Sequence, residues 1–136
     1  MLIDTHAHLD SLEDLRGSLA RAREYGVEKI IAISSDLESS LKTVSIAETI
    51  DNVYAAVGIH PHAARTADDA VLREIESIAC KEKVVALGET GLDYHYMNSS
   101  KEEQINSLAA HIGIARRAEL PIVIHVRDAD SDLVEL

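Results

Sequence analysis

Leu2-Ile3-Asp4-Thr5-His6-Ala7-His8 runs from an apolar start into two histidines separated by a single alanine. Side chains two apart on a strand project to the same side. If this strand ends at the mouth of a sheet or barrel, both imidazoles enter one cleft, where their neutral nitrogens can hold a divalent cation. An isolated His-x-His can equally be a pair of hydrogen-bonding groups at a strand end. The rest of the chain separates the two readings.

Outward from that strand, short β-type runs alternate with helical patterns. Ser11 followed by Asp14 reads as the opening of a helix whose Leu12, Leu15, Leu19 and Ala22 form one apolar stripe, with Gly26 placed to end it. Residues 29–33 are a second strand, and Ser35 with Glu38 is the capping signal of a helix that faces inward through Leu37, Leu41, Val44 and Ala47. Residues 53–58 form a third strand. Thr66 with Asp69 caps a third helix carried by Leu72, Ile75 and Ile78. A fourth strand at 84–87 ends at Gly88-Glu89, and a loop is expected over 90–100. The fourth helix starts near Ser100, buries Ile105, Leu108, Ile112 and Ala115, and stops before Pro121. Residues 122–125 are a fifth strand, followed by a helix opened by Asp128 or Asp130.

Near-continuous apolar strands, each followed by a helix, indicate a parallel sheet covered by helices. An open doubly wound sheet and a closed (β/α)8 barrel both fit that rhythm. The polar residues decide between them, because His6 and His8, His60 and His62, Glu89 and Asp93, and His125 all fall at or just beyond carboxyl ends of strands. Successive strands deliver groups to one place where a sheet curls into a barrel, whose active sites lie at that face. No glycine-rich phosphate-binding fingerprint follows any strand. The expectation is an α/β fold, an incomplete TIM-type (β/α)8 barrel of about five parallel strands and four to five helices.

At 136 residues and 46% hydrophobic content, the chain can bury a core of its own. No run approaches the ~18 apolar residues of a membrane span, and the apolar start gives way at once to Asp4 and His6, so a soluble cytoplasmic protein is expected. The single cysteine, Cys80, excludes a disulfide framework and a thiolate zinc site, and is read as a small buried apolar residue. A formal charge of −11 disfavours a broad basic surface for nucleic acid. Bound cations can supply positive charge locally where a phosphodiester must sit. Imidazoles and carboxylates suit Zn, Mn or Mg, and a carboxylate can bridge two cations, a role for which Glu89 is placed.

The segments THAHLD (5–10), GIHPH (58–62), GETGLDYHY (88–96) and LPIVIHVRDA (120–129), in this order and spacing, resemble the TatD family of metal-dependent deoxyribonucleases. The resemblance covers essentially the whole chain and corresponds to the amino-terminal half or so of the family's barrel. It implies cleavage of DNA phosphodiester bonds through a metal-activated water at a site of two divalent ions. By it, His6 and His8 bind the first metal, Glu89 bridges both, and His125 binds the second, with Glu89 and His125 as the catalytic residues. His60, His62, Asp93 and Arg127 are assigned to substrate binding. The residues themselves leave other roles open: His60 and His62 can cap their strand, Asp93 can orient a ligand histidine or tie down its own loop, and Arg127 can fork a phosphate or pair with Asp128, Asp130 or Asp132. His111 reads as structural, as does Tyr94 under its loop.

The family is also expected to supply a further histidine and an aspartate from strands beyond these five. A full barrel takes about 250 residues. Residues 1–136 are therefore read as the amino-terminal part of a single metal-dependent hydrolase barrel domain without its carboxyl-terminal strands. Open edges at strands one and five predict self-association or a completing chain. Two alternatives stand beside the nuclease: a related barrel hydrolase of small phosphoesters, and a catalytically incomplete module that only binds metal or a partner.

Overall fold

The computed structural model describes residues 1–135. Strands β1 (Leu2–Ala7), β2 (Val27–Ile33), β3 (Val53–Val57), β4 (Val84–Asp93) and β5 (Ile122–Arg127) form one parallel sheet in the order β1-β2-β3-β4-β5. Helices α1 (Leu15–Glu24), α2 (Leu37–Thr49), α3 (Asp69–Ala79), α4 (Lys101–Ala118) and the short α5 (Asp130–Val134) follow the strands in turn. Consecutive strands are always neighbours, whereas the strand order of a doubly wound sheet reverses at a switch point. This is the winding of a barrel, as the strand-end polar residues predict.

Side-chain alternation along the strands places the core. Ile30, Ala32, Val53, Ala55, Val57 and Leu87 pack with Val44, Ala47, Ile75, Ile78, Ile114 and Ala115 of the covering helices. Between them on the strands, Ile33, Ala56 and Ala86 form a second buried cluster with Ile31 and Val123 at its margin. The alanines suit the concave face of a curling sheet, where side chains crowd. A third cluster joins Leu92, Leu108 and Ala129, with Tyr94, Ile105, Ile112 and Val126 packed against it. β1 contrasts with all of this: its first five residues are exposed, including Leu2 and Ile3. No helix among the described residues is long and apolar enough to cross a membrane.

Three helix starts lie one to three residues beyond the expected ones, for one physical reason. Asp14, Asp36 and Asp68 are the N-caps, each carboxylate accepting from backbone N–H groups of the first turn. Ser11 and Thr66 are instead consumed by 3-10 turns (Leu9–Ser11 and Pro61–Thr66), where their hydroxyls donate to the carbonyls of His8 and Ala63. Ser35 gives its backbone N–H to Ser39 Oγ, and the capping box of α2 is Asp36 with Ser39. Leu12 therefore precedes α1 and is exposed. Leu41 is exposed as well, because α2 turns Ser40 and Thr43 inward beside Val44 and Ala47. Cys80, at the end of α3, is exposed rather than buried, its Sγ directed at the Glu76 carbonyl.

The largest departure concerns β4, which continues through the expected loop to Asp93. Thr90, Gly91, Leu92 and Asp93 pair with Ile124, His125, Val126 and Arg127 of β5. Gly91 permits that approach, since a Cβ there would collide with the His125 carbonyl, and its φ of +145° disfavours any side chain. Glu89 and Asp93 therefore stand on a paired strand, four residues apart.

Candidate metal centre

Two groups of side chains converge on Glu89. His6, His8 and Glu89 form one, and His60, Glu89 and His125 the other, with the nitrogen and oxygen atoms of each group within 4.8 Å of one another. Glu89 is 8% exposed. Its Oε2 faces His6 Nε2 at 3.4 Å, and its Oε1 faces His125 Nδ1 at 3.2 Å. A carboxylate whose two oxygens address two separate imidazole sets has the form of a bridge, and this donor chemistry fits borderline divalent cations. The backbone is fixed to match, because the Glu89 N–H donates to the Ser34 carbonyl (3.1 Å) across the sheet.

Behind His125 stands Asp93, which is fully buried. Its Oδ2 lies 3.0 Å from both His125 Nε2 and His62 Nε2, and its Oδ1 accepts the backbone N–H groups of His95 (3.0 Å) and Tyr96 (2.9 Å). Burial pushes this carboxyl upward, but the Tyr96 N–H and the two imidazoles outweigh it and hold the group well below the usual carboxylate range. It is an anion at neutral pH. Anchored on Asp93, the Nε2 proton of His125 leaves the Nδ1 lone pair directed at Glu89 and the site. Asp93 thus both orients the histidines and ties down its own loop.

His60 has a different character. Its Nδ1 accepts the His62 backbone N–H at 3.1 Å, so the neutral ring carries its proton on Nε2, the atom that meets His125 Nδ1 at 3.2 Å. Burial first, and then the neighbouring His125, lower its pKa to about 4, so it stays neutral near pH 7. A ligand needs a lone pair where His60 presents an N–H. This geometry suits a donor to an oxyanion better than a metal ligand. His62 is part-buried and donates to Asp93; together with His8, His60 and Glu89 it lines a cavity of about 420 Å³ at the mouth.

Arg127, two residues beyond His125 on β5, lies with its guanidinium 4.8 Å above the Tyr96 ring. Among the described residues it forms no salt bridge with Asp128, Asp130 or Asp132; Asp128 instead meets His95 Nδ1 at 3.2 Å. Asp4 accepts the His6 N–H (3.0 Å), a local turn contact rather than a ligand position. Tyr94 donates to Asp132 (2.7 Å) beneath Lys101 and is structural; burial and that bond raise its pKa to about 12.

Three supports stand behind the centre, of which the sequence marks only His111, as structural. The Gln104 amide holds the Asp93 backbone at both ends, accepting from its N–H (2.7 Å) and donating to its carbonyl (3.0 Å). The paired hydroxyls of Ser34 and Ser40 (2.8 Å apart) receive the Gly58 N–H at the start of the histidine loop. His111 reaches from α4 to accept the Ile59 N–H at 3.1 Å while its Nδ1 donates to the Ser107 carbonyl at 2.7 Å. The only sequence signal for Gln104, Ser40 and His111 is a polar residue on the inward face of a helix, and Ser34 stands just past the end of β2.

Comparison with known proteins identifies the family. Residues 3–136 match the family of TatD-related DNases. The uncharacterized metal-dependent hydrolase YabD of Bacillus subtilis is 39% identical over the whole chain and 54% of its own length. A 3'-5' ssDNA/RNA exonuclease TatD of Pectobacterium carotovorum is 32% identical over 90% of this chain and 47% of its own. The crystal structure of YjjV, a TatD homolog from Escherichia coli, superposes with a TM-score of 0.91 at 34% identity, over 98% of this chain and 54% of that one. The chain spans about half the length of these relatives. Family model, sequence relatives and superposition converge: this chain belongs to the TatD family.

Proposed function

We propose that residues 1–136 are the amino-terminal part of a metal-dependent hydrolase barrel of TatD type that cleaves phosphodiester bonds of DNA at a site of two divalent cations, Zn, Mn or Mg. The observation that carries this reading is Glu89, a nearly buried carboxylate whose two oxygens face two histidine groups. His6 and His8 would hold the first cation and His125 the second, with Glu89 shared between them. When bound, such a pair supplies an activated water and electrostatic stabilisation of the phosphoryl and leaving oxygens. The chain's own residues do the rest. Asp93 fixes the His125 tautomer, Arg127 offers paired N–H donors to a neighbouring phosphate, and His60, whose Nε2–H meets His125 Nδ1 in the metal-free chain, would turn that N–H to a phosphoryl oxygen once a cation takes the Nδ1 lone pair. The name of the Pectobacterium relative supports a nucleic-acid substrate.

The test is hydrolysis of single-stranded DNA against a small phosphomonoester, with and without added Mn. Metal-stimulated cleavage of DNA is expected; turnover of the phosphomonoester alone overturns the nuclease reading. A second reading, a metal-binding half-site without turnover that is completed by another chain or a second copy, is favoured by β1, an exposed edge strand that carries His6 and ends just before His8. Robust turnover by the monodisperse chain rejects it.

A further inference from the structure

One exposed aromatic side chain beside the centre has no part in holding metal. Tyr96 is 55% exposed although large aromatic rings are costly to leave in water. Its backbone is pinned to the centre through the N–H bond to Asp93 Oδ1. Its ring stands 5.4 Å from the His62 ring, nearly perpendicular to it, and His62 lines the mouth cavity. From Tyr96 through His62 and Asp93 to His125 the contacts are continuous. The ring is therefore held one side chain away from the place where a scissile phosphate must lie.

The second observation is the position of Arg127. An arginine built only to neutralise phosphate is commonly fixed by carboxylates, which occupy its N–H groups. Here the guanidinium lies over the Tyr96 ring, 4.8 Å from the centroid. That contact takes up no N–H group, and among the described residues the guanidinium makes no hydrogen bond or salt bridge. Because Arg127 is two residues beyond His125 on the same strand, both side chains project to the same side, towards the mouth. The pair thus offers in-plane donors for a phosphate next to an exposed π surface. Such a combination recurs where a polynucleotide is bound with its bases unstacked.

We propose that Tyr96, braced by Arg127, is a stacking platform for a nucleobase of a single-stranded polynucleotide, and that it sets the preference for nucleotide over other phosphodiesters. The assignment rests on the nuclease reading and adds a base contact to its phosphate contacts. Arg127 fixes the backbone of the nucleotide, and Tyr96 takes the base, which must have left its duplex stack to reach it. Tyr96 is a specificity residue, remote from the bond that breaks.

The experiment is binding rather than turnover, on the 136-residue chain in added Mn. Fluorescein-labelled phosphorothioate octathymidylate is compared by anisotropy with the same strand made abasic throughout. The abasic strand is expected to bind about tenfold more weakly, the scale of one lost stacking contact. Tyr96→Ala weakens the thymidylate about tenfold and leaves the abasic strand unchanged, whereas Tyr96→Trp retains the difference. Arg127→Ala weakens both strands alike. Equal binding of the two strands by the wild-type chain, or a Tyr96→Ala loss of the same size on both, overturns the platform and leaves the phosphodiester reading intact. Metal-dependent binding of neither strand overturns both. Because Tyr96 is exposed and its N–H bond is a backbone contact, circular dichroism of the variant is expected to match wild type.

Discussion

The two histidine groups that share Glu89 are built in opposite ways. His125, on the other edge strand, and His60, in the turn after β3, are part-buried and held by Asp93, the His62 N–H and the β4–β5 pairing. His6 and His8 stand at the end of an edge strand, exposed, their rings edge to face at 5.4 Å, and His6 meets Glu89 at 3.4 Å. One half is ordered by the protein's own hydrogen bonds before any cation arrives. The other supplies ligands of the right type but leaves their arrangement to the cation itself. Preorganisation lowers the cost of binding, so the half around His125 is expected to load first and the half around His6 to complete the centre.

The largest effect expected from this difference lies at the residue common to both halves. Glu89→Ala removes a ligand from each group, and Mn or Zn affinity measured by calorimetry should fall by at least the roughly 100-fold that marks the upper end for outer-shell partners. His62→Ala, which acts only through its bond to Asp93, should cost about tenfold. Equal losses in the two variants would break the bridging assignment and with it the comparison.

A smaller effect separates the halves without metal. In the chelated protein, His125→Ala strips Glu89 and the buried Asp93 of a partner, and urea denaturation should register a loss of about 1–3 kcal/mol. His6→Ala should cost within about 0.5 kcal/mol, the usual range for surface positions. The relative exposures support the contrast, 24% for the His125 side chain against 43% for His6. Similar losses would mean that β1 contributes to the metal-free order of the centre after all.

The same division explains what could be read from the sequence. The strand rhythm, the barrel winding and the convergence of His6, His8, Glu89 and His125 follow from period and position, because strand ends are where the pattern is strongest. The extension of β4 was hidden, since Thr90 to Asp93 reads as a glycine-broken loop and becomes a strand only through pairing with Ile124–Arg127, far later in the chain. The caps were displaced because Ser11, Ser35 and Thr66 spend their polar groups on neighbouring turns, a competition between local hydrogen bonds that a motif does not weigh. Gln104 and Ser34 escaped for a related reason, since only the fold reveals which backbone groups they hold, and His111, read as structural, gained a named partner, the Ile59 N–H. Leu41 and Cys80 show the converse, apolar types left outside by the rotation of their helices.

His111 gives the smallest and most selective test of the ordered half. It is buried, and burial lowers its pKa from the ordinary 6.5, with the Ser107 contact opposing more weakly. Neutral, it accepts the Ile59 N–H through Nε2; protonated, it would present a second N–H to that donor and release the residue that precedes His60. The sign of the linkage follows from the lowered value. Between the folded pKa and 6.5 the unfolded chain binds the proton more readily, so stability rises with pH in that window, is fully present above 6.5 and is lost as pH falls below it. The melting temperature of the metal-free chain is therefore expected to be lower at pH 5.5 than at pH 7.5. His60 drives the trend in the same direction, but a His111→Gln variant isolates the buried contact, because an amide can accept from Ile59 and donate to Ser107 without titrating. Its melting temperature should change less over the same interval than that of wild type. An unchanged slope would place the acid sensitivity elsewhere and would remove α4 from the set of elements that order the His60 side of the centre.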